Sequence, residues 1–187
     1  MLSVSEARAR ILEVFQPVEP QTVPLDRAAG RILSTEITAG TDIPPFDYSS
    51  VDGFALKVAD TTAGRTLRVR ADIRAGTSSE IVIHTGECVR IMTGAPLPNG
   101  AEAVIMLEDT DFNDRASGQP APQTVIIHKE VRLGENVRRR GEDLHCGDIA
   151  LTHGVRVRAQ EMGLLAMLGK SEVHVYRRPR LGLLSSG

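Results

Sequence analysis

The sequence predicts an α+β fold, mostly β, in which an interrupted N-terminal domain of short helices and strands carries an inserted β-rich domain. Apolar residues recur with helical spacing in only two short stretches, residues 4–15 and 158–168. Between residues 54 and 130 the pattern changes to short apolar runs divided by Gly64, Gly76, Gly86 and Gly100, the spacing of a small β unit. The simplest arrangement takes residues 47–134 as the insertion and pairs residues 1–46 with residues 135–178 around it.

Taken in order, Ser3 caps the first helix, and Glu6 three residues later completes a capping box. Val4, Ala7, Ile11, Val14 and Phe15 share one face, and Pro17 and Pro20 stop the helix. No neighbouring segment offers that face a mate. Residues 23–30 read as a short helix with Pro24 in its first turn and Gly30 as a left-handed stop, followed by a strand over residues 31–39. An arm follows from Asp42, stiffened by Pro44 and Pro45. It ends in an Asp52-Gly53 turn that suits positive φ at the glycine, and Phe54, Leu56 and Val58 then alternate as a half-buried strand. Further strands are expected over residues 66–69, 87–92, 103–107 and 124–128, with an exposed loop at 111–123. Beyond Asp143 come a strand from Ile149, the helix at 158–168 and a strand at 172–177. A last strand, residues 180–187, meets no following element and reads as the cut edge of a fragment.

Composition removes several function classes. A net charge of -2 and a pI near 6.2 provide no general basic field for nucleic acid. Aromatics at 3% leave few platforms for stacked bases. No apolar run approaches the ~20 residues that span a bilayer, and there is no secretory pattern at the N-terminus. Cys88 and Cys146 read as reduced thiols, which with the missing signal points to the cytoplasm. Phosphate-binding, dinucleotide and hydrolase-elbow motifs are absent, and His145, Cys146 and His153 match no zinc spacing.

Three stretches carry chemistry. Asp52 stands at a strand mouth behind a rigid lead-in, the place for a carboxylate aimed at a ligand and equally for a turn aspartate. Thr93-Gly94 turns the chain after a strand, so that a hydroxyl and free amides either face an oxyanion or merely cap the strand. Arg138, Arg139 and Arg140, followed by Glu142 and Asp143, either clamp phosphate oxygens and hold a hard cation or form a self-paired charged loop.

In register and in this order, the segments 45–55, 90–98 and 136–143 resemble the molybdopterin molybdotransferases, a family that includes the E domain of gephyrin. The resemblance covers essentially the whole chain. Residues 183–187 resemble the start of the family's Leu-Ser-Thr-Gly-Asp-Glu-Leu segment, with Ser186 where the family has Thr. It implies that residues 179–187 begin an α/β molybdopterin-binding domain, on which the helix of residues 1–16 would pack. It also implies insertion of molybdate into adenylylated molybdopterin with release of AMP, assisted by magnesium, in a homodimer whose active site is shared between subunits. A molybdopterin adenylyltransferase is an implied partner. Motif by motif, Asp52, Thr93 and Asp143 fall on catalytic positions, and Ser50, Gly94, Arg138, Arg139 and Arg140 on cofactor-binding ones. Asp52 and Asp143 are the implied metal ligands. The fragment alone is expected to be inactive. The rival readings are a non-catalytic dimerisation or scaffold module and a generic β-rich anion-binding protein.

Overall fold

The computed structural model describes residues 2–77, 80–112 and 120–185. It is mostly β, with two α-helices, and divides into two units: one comprises Met1–Thr41 and Gly147–Gly187, the other Asp42–Cys146. The insertion is therefore wider than the 47–134 expected from sequence. The reason lies in backbone bonding: Ile43 N–H donates to Leu144 O (2.7 Å), Gly141 N–H to Pro44 O (2.9 Å) and Val104 N–H to Glu135 O (3.0 Å). These bonds tie the arm and the arginine run to the inserted unit.

In the discontinuous unit, helix α1 (Val4–Val14) has the expected capping box: Glu6 N–H donates to Ser3 Oγ at 3.3 Å, and Ser3 N–H donates to Glu6 Oε2 at 2.8 Å. None of its residues is buried. Strand β1 (Pro20–Pro24) runs antiparallel to a strand more than a hundred residues away, Glu172–Tyr176, with Val23 opposite Val173. Extended Pro24 then leads into a single 3-10 turn, Leu25–Arg27, in place of the longer helix expected at 23–30. The strand expected over residues 31–39 is reduced to bridges at Ile32 and Leu33 and to β2 (Ile37–Thr38). Ala28, Leu33, Val157 and Val175 are fully buried in this unit's core, together with Leu165 of its second helix, Ala159–Met167. Residues 177–185 form no strand, and Leu181, Leu183 and Leu184 are exposed. A strand needs a hydrogen-bonded neighbour, and past the single bond from Arg177 N–H to Glu19 O (3.0 Å) none of the described residues supplies one there.

The inserted unit is organised on a five-stranded sheet. Its strands are β4 (Gly53–Leu56), β5 (Thr66–Ile73), β6 (Glu87–Ile91), β7 (Ala103–Met106) and β8 (Thr124–Ile126), in the order β7-β4-β6-β5-β8. All neighbours are antiparallel except β5 and β6. Successive side chains leave a strand on opposite faces, so each face has its own core. Phe54, Leu56, Leu67, Cys88 and Ile105 pack on one side, and Ala55, Ile73, Val89, Ile91 and Val104 on the other. Every residue of β4 is consequently buried, where alternation suggested half-burial. Gly53 is also required for a reason other than the one expected. Its φ is not positive; a Cβ there would lie 1.9 Å from Ile105 O, so the neighbouring backbone excludes any side chain. Residues 113–119 of the expected loop lie outside the described residues.

Three further strands complete the set: β3 (Tyr48–Ser49), β9 (Val137–Arg138) and β10 (Ile149–Leu151), followed by α2 (Ala159–Met167) and β11 (Glu172–Tyr176). Among the described residues no helix is long and apolar enough to cross a membrane.

Candidate functional site

The arm from Asp42 to Asp52 receives both other motifs along its length. At its start, Asp143 N–H donates to Ile43 O (2.9 Å). In the middle, β3 pairs with β9, setting Tyr48 opposite Arg138, while Leu97 N–H donates to Asp47 O (2.9 Å). Further on, Ser49 N–H donates to Ala95 O (3.0 Å), Gly94 N–H to Ser49 O (2.8 Å) and Ser50 N–H to Asn136 O (3.0 Å). Two segments some 40 and 90 residues downstream thus meet on one short, proline-stiffened piece of backbone.

At the arm's end, Asp52 Oδ1 accepts both the Thr93 N–H and the Thr93 hydroxyl, each at 2.7 Å. Both residues are exposed. The anion facing the Thr93 turn is therefore the chain's own carboxylate. Gly94 N–H is taken by Ser49 O and Ala95 N–H by Met92 O (3.0 Å), so none of these three amides is left open. Ser50 is exposed, whereas Ser49 beside it is buried and donates its hydroxyl to Val51 O (2.6 Å).

The arginine run is held by carboxylates. Arg138 Nη2 donates to Asp143 Oδ1 (2.6 Å), and its Nε lies 3.2 Å from Glu142 Oε2. Arg139 Nη1 donates to Asp47 Oδ2 (2.6 Å), and Arg140 N–H donates to Asp47 Oδ1 (2.8 Å). Arg140 Nε donates to Asp42 Oδ2 (2.5 Å), whose other oxygen accepts the Cys146 N–H (2.9 Å). Three guanidiniums are thereby shared among four carboxylates, Asp42, Asp47, Glu142 and Asp143. The Cys146 amide, and after it the Arg140 guanidinium, hold Asp42 below the usual carboxylate range. For Asp47 burial acts upward, but the Arg140 amide and the Arg139 guanidinium outweigh it and the net shift is downward. Asp143, with Glu142, raises Arg138.

The structure joins Asp52 to Thr93 and Asp143 to Arg138, and gives each pair its own place along the arm. Among the described residues no group of three or more His, Cys, Asp or Glu side chains is arranged to hold a metal. Sequence reasoning passed over Asp42 and Asp47. Their signal was present: two carboxylates flanking a diproline in a chain with one triple-arginine run.

The sequence model of the MoeA N-terminal region (domain I and II) matches residues 2–169. Over its full length the chain is 35% identical to the molybdopterin molybdenumtransferase of Haemophilus influenzae, covering 45% of that protein. It is 36% identical to the Bacillus subtilis protein of the same name, again over all of this chain and 44% of the relative. The chain thus spans less than half the length of these curated relatives. Among solved structures, a molybdopterin biosynthesis moeA protein from Pyrococcus horikoshii superposes with a TM-score of 0.84 at 31% identity, over 94% of this chain and 46% of that one.

Proposed function

Because the chain belongs to the MoeA N-terminal region family (domain I and II), we propose that it supplies the N-terminal share of a molybdopterin molybdotransferase acting in molybdenum cofactor biosynthesis. The reaction is insertion of molybdate into adenylylated molybdopterin with release of AMP, in the cytoplasm. The observation that supports this reading is the meeting of the three signature segments on the arm, each anchored by its own backbone bonds.

In this proposal Asp52, Thr93 and Asp143 are the working residues. Thr93 fixes the Asp52 carboxylate through Oδ1, while Oδ2 has no protein hydrogen bond among the described residues. Arg138 does the same for Asp143 through its Oδ1. Two exposed, pre-oriented hard oxygens suit magnesium only when water and substrate phosphates complete the shell, the usual arrangement for that ion. Asp52 and Asp143, at their separate places along the arm, would hold it or order its water shell, and its chemistry would be neutralisation of charge on the pyrophosphate oxygens. Ser50 and Gly94 border the substrate. Arg138, Arg139 and Arg140 serve chiefly as braces, since carboxylates already neutralise them. The remaining half of the site comes from an α/β domain that receives helix α1, in a homodimer, with substrate handed over by a molybdopterin adenylyltransferase.

The test is cofactor formation from adenylylated molybdopterin and molybdate. The whole gene product should form cofactor and AMP in equal amounts, and the 187-residue chain alone should form none. A second reading, a non-catalytic dimerisation or scaffold module, draws on the fact that the site's amides and arginines are satisfied internally. Partner binding by a whole gene product that makes no cofactor would favour it.

A further inference from the structure

The discontinuous unit contains a second concentration of arginines, and most of its charges have no carboxylate partner. An open groove of about 840 Å³ is lined by Glu19, Gln21, Arg31, Arg177, Arg178 and Arg180, among others. A smaller hollow of about 410 Å³, lined by Asp26, Arg27, Ala29, Arg31 and Arg178, shares two of those arginines. Five guanidiniums therefore face two carboxylates. The nearest ion pair, Arg177 Nη1 to Glu19 Oε2, is loose at 3.7 Å and solvent-exposed. Among the described residues no carboxylate lies within ion-pair reach of Arg27, Arg178 or Arg180.

Arg31 is the key to the pair of cavities. It is only 8% exposed, yet its partners are neutral: Nη2 donates to Tyr176 O (2.7 Å), and with the Gln21 amide turned so that its oxygen meets the guanidinium, that oxygen accepts from Nη1 (3.1 Å) and Nη2 (2.6 Å). Arginine stays protonated at any physiological pH, so the fold buries a permanent charge that no carboxylate compensates. Carbonyls orient the guanidinium but cannot cancel its charge. Exposed Arg178 borders both cavities beside it, and Arg27 closes the smaller one.

We infer that this groove binds a multiply charged oxyanion of the phosphate type, with Arg31 as the buried anchor and Arg27 and Arg178 as the outer clamp. Planar guanidiniums match such oxygens by paired, charge-assisted hydrogen bonds. The site lies wholly within the discontinuous unit and does not depend on the reading of the Asp52 region.

The probe is inorganic pyrophosphate, titrated into the full chain at low salt and followed by calorimetry and by the arginine Nε–H resonances. Saturable binding tighter than about 1 mM is expected, with the Arg31 and Arg178 signals shifting together. Arg178→Gln and Arg27→Gln, both at exposed positions and so safe for folding, should each weaken it about tenfold, the worth of one charge-assisted hydrogen bond. Arg70→Gln, at an exposed position of the inserted unit, should leave it unchanged. Absence of saturable binding, or binding that survives both arginine substitutions, overturns the inference.

Discussion

Arg138, Arg139 and Arg140 are adjacent in sequence and sit among four carboxylates, whereas Arg27, Arg31, Arg177, Arg178 and Arg180 are scattered in sequence and share two. The first group looks like an anion clamp on paper and works as a brace in space. The second has no sequence signature and is where positive charge is left over. A run of like charges thus says little about the field it creates until its partners are known, because an ion at 3 Å outweighs any pattern along the chain.

The contrast can be broken or sharpened by substitution. The largest expected effect is Gly53→Ala, which forces a Cβ to within 1.9 Å of Ile105 O at the start of β4, between β7 and β6 of the five-stranded sheet. A loss of about 4 kcal/mol or more, or failure to fold, is expected. Cys88 reports it, because burial pushes its thiol up to about 12 and keeps it unreactive while the sheet is closed. Rapid labelling of Cys88 in the variant, against labelling of exposed Cys146 alone in the parent, is the expected readout.

Asp47→Asn should come next. It removes the charge that holds both Arg139 and the Arg140 amide, and after solvent screening about 1 kcal/mol of urea stability should be lost. Acid should act in the same direction. Asp42 and Asp47 are both depressed in the folded chain. Their stabilisation is therefore present above the unfolded carboxylate value of about 4 and lost as pH falls through the lower folded values. Unfolding free energy should decline below about pH 4 in the parent and decline less steeply in Asp47→Asn. Arg178→Gln should change stability least, within about 0.5 kcal/mol, since it removes a charge with no carboxylate partner. A loss as large as that of Asp47→Asn would mean the two arginine groups do the same job.

Much of this was legible in the sequence. The capping box of Ser3 and Glu6 is local, and it appears as read. The sheet strands of the inserted unit are marked by apolar runs between glycines, and they stand within a few residues of expectation. What escaped is non-local. The brace pairs Asp47 with residues 92 and 93 positions away, and β1 hides between two prolines because its partner is β11. Gly53 signalled a turn, but the constraint is a neighbouring carbonyl that no local pattern encodes. The Thr93 turn was readable as a hydroxyl with free amides; that Asp52, Ser49 and Met92 take those amides depends on the fold.

The most direct test compares Asp52→Asn with Asp47→Asn in the whole gene product, assayed for cofactor formation and for thermal stability. Asparagine at 52 keeps an acceptor for Thr93 and removes only the charge, so stability should hold while activity falls by at least the roughly tenfold to hundredfold lost when a partner one shell further from a metal is removed. Full activity in a normally folded Asp52→Asn protein would contradict the account.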